Sequence, residues 1–232
     1  MKSNAQVWLW MVFSLMSLLT GCNKDNDNTV EIVESDEYTP LVKEGKLFVY
    51  SSSHSYDGHL VYQLISGDTV IQGRQYKKVM GWDKLTENKR IYLGAIREEN
   101  KKVYTIEPRF VVGEWVWKEV LMFDFGRSVG DEYYHEEYSI AVVKIVDIDT
   151  VENAGRKFRR FIWNLSYCTV QVPAQFNLRG AYVEGIGDGR CFFYSDKLDT
   201  KDVVYTLVRC EDNGKVIFDD SYQSFFIIGG EY

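Results

Sequence analysis

Short runs of apolar residues, separated at fairly regular intervals by polar turn residues, dominate the chain from about residue 45 onward. The runs are rich in β-branched and aromatic residues, which favour strands, and helical periodicity is hard to find. They predict strands at 47–50, 60–64, 91–96, 103–106, 116–125, 140–148, 159–163, 203–208 and 216–218. Turn signals stand at 66–68, 99–101, 129–131 and 212–214. This pattern predicts an all-β fold, an antiparallel sandwich or barrel.

Two stretches of the chain, residues 61–80 and 142–162, align with one inserted residue. Asp-Thr-Val and Gly-Arg occur in both, Tyr76 matches Phe158, and two basic residues follow each aromatic. Each stretch predicts a β-hairpin, the first turning at Gln72-Gly73 and the second through a three-residue loop, 153–155. The extra residue would then be absorbed at the turn.

The similarity continues loosely beyond the hairpins, because residues 92–96 can be set beside 182–186. We therefore predict an internal duplication of a β unit of about 80 residues, packed as one pseudo-symmetric body. The body would be a single domain, 45–232, with halves at about 45–131 and 132–220. Chance similarity between hairpins is the alternative.

The beginning of the chain predicts export. Lys2 precedes an uncharged apolar run, 7–19, which has the length of a signal-peptide core and is short for a membrane span. The next residues, Leu19-Thr20-Gly21-Cys22, resemble the bacterial lipobox. That resemblance implies cleavage of a signal peptide, 1–21, and a lipid anchor on Cys22, with several acyl chains giving stable membrane attachment. An ordinary signal peptide with an incidental cysteine is the alternative.

A polar, acidic segment follows the cysteine, and we expect residues 22–44 to form a flexible tether. Its start, Asn-Lys-Asp-Asn-Asp-Asn at 23–28, resembles the lysine-then-acidic signal that sends Bacteroidetes lipoproteins to the cell surface. The resemblance implies an outer-membrane lipoprotein facing outward. A plain solvated tether, with the domain on the periplasmic face, is the alternative.

The net charge of the chain limits the classes of partner that it is expected to bind. Acidic residues outnumber basic ones, 34 to 27, giving a net charge of −7. A chain of this sign is a poor match for nucleic acid, so we expect no nucleic-acid partner. Aromatic residues make up 15% of the chain and there are only three prolines, which favours strands over disorder.

Three cysteines remain once Cys22 is assigned to the anchor. An exported location permits a disulfide, and we predict a pair between Cys191 and Cys210 with Cys168 as a buried thiol. Three reduced, buried thiols are the alternative.

Several motifs together are similar to a family of uncharacterised exported and lipid-anchored proteins from Bacteroides and Prevotella relatives. They are the segments 67–78, 95–99, 121–125, 129–131 and 184–187. The resemblance extends over most of residues 45–218. It implies a Bacteroidetes source, export and a β fold, and it brings no activity and no site residues.

Motifs for catalysis are weak. Residues 126–130, Gly-Arg-Ser-Val-Gly, match the serine-hydrolase elbow, but a strand rather than the required helix follows them. Glu98 and Glu99 are adjacent on a predicted strand and should point to opposite faces. The glycine-rich segment 185–189 precedes a strand-like run, so it predicts a tight turn and no phosphate site. We expect no metal and no cofactor.

Two tryptophans and two threonines are candidate sites of another kind. Trp115 and Trp117 share one face of a predicted strand, where two indoles could stack on neighbouring sugars, although such pairs more often belong to a core. Thr69 and Thr150 each lie in Asp-Thr-Val, which resembles the Bacteroidetes O-glycosylation sequon. An exposed turn there would accept glycan, and ordinary turn chemistry is the alternative.

These features favour a non-enzymatic, membrane-anchored lipoprotein that binds glycan or an outer-membrane protein through its β surface. An exported hydrolase of polysaccharide or peptide with scattered acids is the first alternative. A structural envelope protein is the second.

Overall fold

The computed structural model describes residues 37–52, 59–83, 86–87, 89–111, 113–134, 141–167, 178–189, 192–193 and 205–219. These residues belong to one compact unit of the chain. The predicted signal peptide, Cys22 and most of the predicted tether lie outside them. No helix within the described ranges is long and apolar enough to cross a membrane.

Each apolar run predicted as a strand overlaps an observed one. The strands are β1 (Lys46–Ser52), β2 (Leu60–Ile71), β3 (Arg74–Trp82), β4 (Ile91–Glu99), β5 (Lys102–Val111), β6 (Glu114–Asp124), β7 (Glu132–Tyr134), β8 (Ala141–Asn153), β9 (Arg156–Tyr167), β10 (Leu178–Val183), β11 (Gly187–Asp188), β12 (Tyr205–Asp212) and β13 (Lys215–Asp219). The predicted all-β class is confirmed, with two antiparallel sheets, one of them curled into a half-barrel.

The larger sheet has eight strands in the order β13-β12-β1-β2-β3-β4-β5-β6, and the smaller has five in the order β11-β10-β9-β8-β7. Strands β12 and β13 come late in the sequence, yet β12 pairs with β1 over its whole length. The predicted second half, 132–220, therefore contributes to both sheets, and the two predicted halves do not correspond to the two sheets.

Both predicted hairpins are present. They are β2–β3 and β8–β9, which occupy the second and third positions of two meanders of the same strand order, β1–β5 and β7–β11. Each hairpin has an irregularity partway along, between Ile65 and Asp68 in the first and between Ile145 and Asp147 in the second. Whether the meanders are copies of one unit stays a prediction.

Four two-residue hairpin loops have both of their residues described, and both residues of each of these loops have positive φ. The loops are Gln72-Gly73, Asn100-Lys101, Ala154-Gly155 and Asn213-Gly214. Positive φ at both positions is the signature of the type I′ turn, whose twist matches that of the strands it joins.

Two turn predictions are wrong. The second hairpin closes through Ala154-Gly155, with Asn153 paired to Arg156, so the loop has two residues and the extra residue enters the ladder. The predicted turn at 66–68 is a bulge within β2, because Ile65 pairs with Val79 and Asp68 with Lys77. Gly67 takes φ 81° there, a conformation that favours glycine.

The main core lies between the two sheets and is rich in aromatic rings. Phe161 of β9 stacks on Tyr182 of β10 at 5.0 Å between centroids, and both contact Phe125, which follows β6. Phe123 of β6 and Phe192 join the same group. Rings from both sheets therefore pack into one cluster.

The predicted tether ends earlier than expected. Leu41 is fully buried in the main core, and Tyr38 and Val42 pack against that core. The polar composition of residues 22–44 predicted flexibility throughout, but three apolar side chains at its end are enough to anchor residues 38–44 to the β body.

Candidate ligand-binding face

The face of the eight-stranded sheet that points away from the main core carries a row of aromatic and long apolar side chains. Tyr62 pairs with Trp82 across β2 and β3, and Leu64 pairs with Met80 one step along. Met80 pairs in turn with Tyr92 of β4. Directly paired residues share a face, so these five side chains form one continuous surface, which we call the aromatic face.

Two rings of the aromatic face are stacked on each other across neighbouring strands. Tyr62 and Trp82 stack with centroids 5.2 Å apart and planes only 5° from parallel. The guanidinium of Arg90 lies 5.0 Å from the Trp82 ring centroid, a cation–π contact on the same indole. Tyr92 is 47% exposed. The face thus offers an accessible ring beside an ordered stack with a cation at its edge.

Further along the same face, the sheet curls until β3 approaches β6. The carboxylate of Glu119 on β6 accepts hydrogen bonds from Arg74 at 2.7 Å and from the Tyr76 hydroxyl at 2.5 Å, both on β3. Arg97 of β4 donates two parallel hydrogen bonds to the same carboxylate, at 2.6 and 2.8 Å. We call Tyr76, Arg97, Tyr104 and Glu119 the Arg97 cluster.

The two charged members of the Arg97 cluster, Arg97 and Glu119, are paired with each other. Arg97 also donates to Glu99 at 2.7 Å and lies 4.2 Å from the centroid of the Tyr104 ring. Its hydrogen bonds to Glu119 raise the pKa of Arg97 and lower that of Glu119. Burial, reinforced by Glu119, raises the pKa of Tyr76. These groups keep fixed protonation states near neutral pH, so the cluster acts as a rigid support at this end of the face.

Trp117 lies at the rim of the curl. It is 44% exposed, and it occupies the same side of β6 as Glu119 two residues on. The Gln72 side chain, at the tip of the β2–β3 hairpin, donates a hydrogen bond to the Trp117 carbonyl at 3.4 Å. The Trp115 side chain lies outside the described part of the structure. Of the predicted tryptophan pair, the structure therefore places Trp117, on the face that carries the aromatic row.

The structure also places the weaker catalytic motifs that the sequence contains. The Gly-Arg-Ser-Val-Gly segment is a turn between strands, in which the Ser128 amide donates to the Asp131 carboxylate at 2.9 Å. Glu98 and Glu99 do point to opposite sides, since Glu98 contacts residues 38–42 while Glu99 contacts Arg97. The turn predicted at 185–189 lies at 184–186, between β10 and β11, and Gly187-Asp188 form β11 itself.

Thr69 and Thr150 lie within strands rather than in turns, paired with Tyr76 and Arg159. Thr150 is exposed and Thr69 is half-buried. Their glycosylation stays a prediction. Cys210 is buried, and burial raises the pKa of its thiol to about 12. Its predicted partner Cys191 lies outside the described residues, as does Cys168, so the pairing stays a prediction.

Sequence reasoning missed the aromatic face because its members are far apart in the chain. Tyr62 and Trp82 come together only if the hairpin register, including the bulge at 66–67, is known. A second irregularity in β4, beside Met80, brings Tyr92 onto the same face. Among the described residues, no three His, Cys, Asp or Glu side chains are grouped closely enough to hold a metal ion.

Comparison with known proteins gives one structural match. It is a candidate exported protein with a YmcC-like fold from Bacteroides fragilis, at a TM-score of 0.33 and 12% identity, covering 75% of this chain and 99% of that one. A TM-score this low supports no argument about this chain. No protein-family model and no curated protein matches the sequence.

Proposed function

We propose that the chain is an exported lipoprotein, anchored through Cys22, whose β body binds neutral glycan on the aromatic face. The observation that carries the binding proposal is the row of Tyr62, Trp82 and Tyr92 on a sheet surface turned away from the core, with one ring exposed. The anchor proposal rests on the lipobox resemblance and on the signal-peptide pattern before it.

Sugar is the occupant that this surface fits best. The exposed ring of Tyr92 can pack against the C–H groups of a pyranose beside the Tyr62–Trp82 stack, and aromatic side chains supply large contact area at low conformational cost. Arg90 at the edge offers donors for hydroxyl groups. The net charge of −7 disfavours acidic polymers, so the ligand class is neutral oligosaccharide.

The test is binding of the purified chain to an array of neutral oligosaccharides, followed by calorimetry with the best ligand. Tyr92→Ala removes the most exposed ring of the face, and we expect it to weaken binding about tenfold. Trp117→Ala, at the rim of the curl, reports whether the ligand extends to β6.

Tyr134→Ala is the matched control, because Tyr134 is also an exposed tyrosine, 70% accessible, but lies on β7 of the other sheet. Equal affinity of the Tyr92→Ala and Tyr134→Ala proteins would place any binding elsewhere. Failure of the unmodified chain to bind any oligosaccharide would refute the glycan proposal.

A further inference from the structure

Residues 38–43, which we call the strap, lie between parts of the two sheets. Leu41 is fully buried in the main core. The Tyr38 ring packs against Phe125 at 6.2 Å between centroids, and the Lys101 ammonium lies over the Tyr38 ring, 5.3 Å from its centroid. The strap is therefore built into the protein interior although no strand includes it.

Charged side chains hold the main chain of the strap. Glu98 accepts a hydrogen bond from the Val42 amide at 2.8 Å and another from the Tyr38 hydroxyl. Glu184 accepts one from the Thr39 amide at 3.0 Å and is paired with Arg159. A carboxyl oxygen accepts a hydrogen bond from a main-chain amide with a preferred geometry, so each of these two side chains fixes the position of one amide of the strap.

A buried lysine completes the arrangement from the other side. Lys46 is only 1% exposed, and its ammonium donates to the carbonyls of Pro40 and Gly185, each at 2.7 Å. Burying an ammonium costs free energy unless acceptors surround it, and here burial lowers the pKa of Lys46 to about 8. Both acceptors are main-chain carbonyls, one of them in the strap.

These contacts come from both sheets. Glu98 is on β4 of the eight-stranded sheet, whereas Glu184 and Gly185 form the β10–β11 turn of the five-stranded sheet. Lys43 adds an ion pair with Asp212, at the end of β12, at 2.7 Å. Gly185 leaves room for the strap, because a Cβ at this position would lie 2.7 Å from the Thr39 side chain and 2.9 Å from its carbonyl oxygen.

We propose that Lys46, Glu98 and Glu184 form a main-chain clamp whose ligand is this chain's own strap, so that the segment following the tether is latched across both sheets. The clamp recognises amides and carbonyls, and Leu41 supplies the apolar anchor. The half-buried Glu98 and the buried Glu184 each hold one main-chain amide of the strap. The latch is independent of glycan binding, and either proposal can fail without the other.

The test is hydrogen exchange in the purified chain, read by mass spectrometry on the peptide that covers residues 37–45. Gly185→Ala forces a methyl group into the strap. We expect the strap amides to exchange about tenfold faster, while peptides from β5 and β6 keep the rate of the unmodified chain.

Gly73→Ala is the matched control. Gly73 has φ 78° against 73° for Gly185, so backbone strain is similar, but a Cβ there meets nothing within 4 Å. A strap exchanging equally in the two variants would overturn the latch, as would a strap in the unmodified chain that exchanges at the rate of a free peptide.

A second pair of variants tests the clamp even if the Gly185→Ala protein does not fold. Glu98→Ala removes one carboxylate of the clamp, and Glu99→Ala removes its neighbour on the opposite side of the sheet. Faster strap exchange in Glu98→Ala alone supports the clamp, and the same rate in both variants contradicts it.

Discussion

At the scale of single residues, Glu98 shows how burial changes a common side chain. Burial raises its pKa from 4.5 to about 7, despite the hydrogen bonds from the strap that oppose the shift. The folded protein thus holds this proton more tightly than the unfolded chain does. By linkage, Glu98 favours folding at pH values below about 4.5, and that contribution is lost as the pH rises through about 7.

We therefore expect Glu98→Gln, which mimics the neutral acid, to flatten the pH dependence of stability. Between about pH 5 and about pH 7.5, the melting temperature of the unmodified chain should fall by more than that of the variant. Thermal unfolding followed by circular dichroism at several pH values measures this difference. Glu99→Gln should keep the pH dependence of the unmodified chain, and an unchanged slope in Glu98→Gln would show that the group does not titrate in this range.

At the scale of elements, the hairpin loops set the strand register. The four two-residue loops with both residues described have positive φ at both positions, and of these Asn213-Gly214 alone has the Asn-Gly sequence that type I′ turns prefer. Ala154 holds φ 50° without the local hydrogen bonding that lets asparagine tolerate this region. The backbone of the β8–β9 hairpin is therefore strained at Ala154, and a substitution at this position can relieve the strain.

Ala154→Asn should stabilise the protein by about 0.5 to 1 kcal/mol, because asparagine suits the left-handed region better than alanine. Ala154 is exposed, so no packing changes. Urea unfolding measures the gain. The reciprocal change Asn213→Ala, in the loop that already has the preferred sequence, should cost a similar amount. Loss of stability in Ala154→Asn would mean that the loop is not of type I′.

At the scale of the whole molecule, residues distant in sequence complete both the core and the larger sheet. Strand β12 lies beside β1, and the Asn153 side chain at the end of β8 exchanges hydrogen bonds of 2.7 and 2.8 Å with the main chain of Asp219 on β13. The two sheets are thus joined by these hydrogen bonds between β8 and β13 as well as by the aromatic core. The sheet that carries the aromatic face is therefore held in place by long-range strand pairing, by these hydrogen bonds and by the core.

The proposed anchor also belongs to this scale, because it decides where the β body is held. We expect cells given labelled palmitate to label the chain, and Cys22→Ala to abolish the label. Cys210→Ala is the control, since that buried thiol should not accept lipid. Label persisting in Cys22→Ala would remove the basis for the anchor and for the surface location.

Much of the fold could be predicted from the sequence because strand signals are local. Apolar runs such as 47–50 and 103–106 and turn signals such as Asn213-Gly214 depend on neighbours only, and each marks an observed element. Residues 66–68 predict a turn where the structure has a bulge, because the same residue types favour both. The single apolar residues of the strap gave no periodic signal, so its burial was not predicted.

Local sequence patterns are enough to predict the all-β class, most of the strand positions, both hairpins and the opposite directions of Glu98 and Glu99, because alternation along a strand and turn residues involve near neighbours only. The pairing of strands that are distant in sequence, such as β1 with β12, depends on the tertiary structure. Register and bulges bring Tyr62, Trp82 and Tyr92 onto one face, and long-range packing brings Lys46, Glu98 and Glu184 around the strap. The physical reason is that burial and pairing between distant segments depend on how the whole chain closes, which no local pattern records.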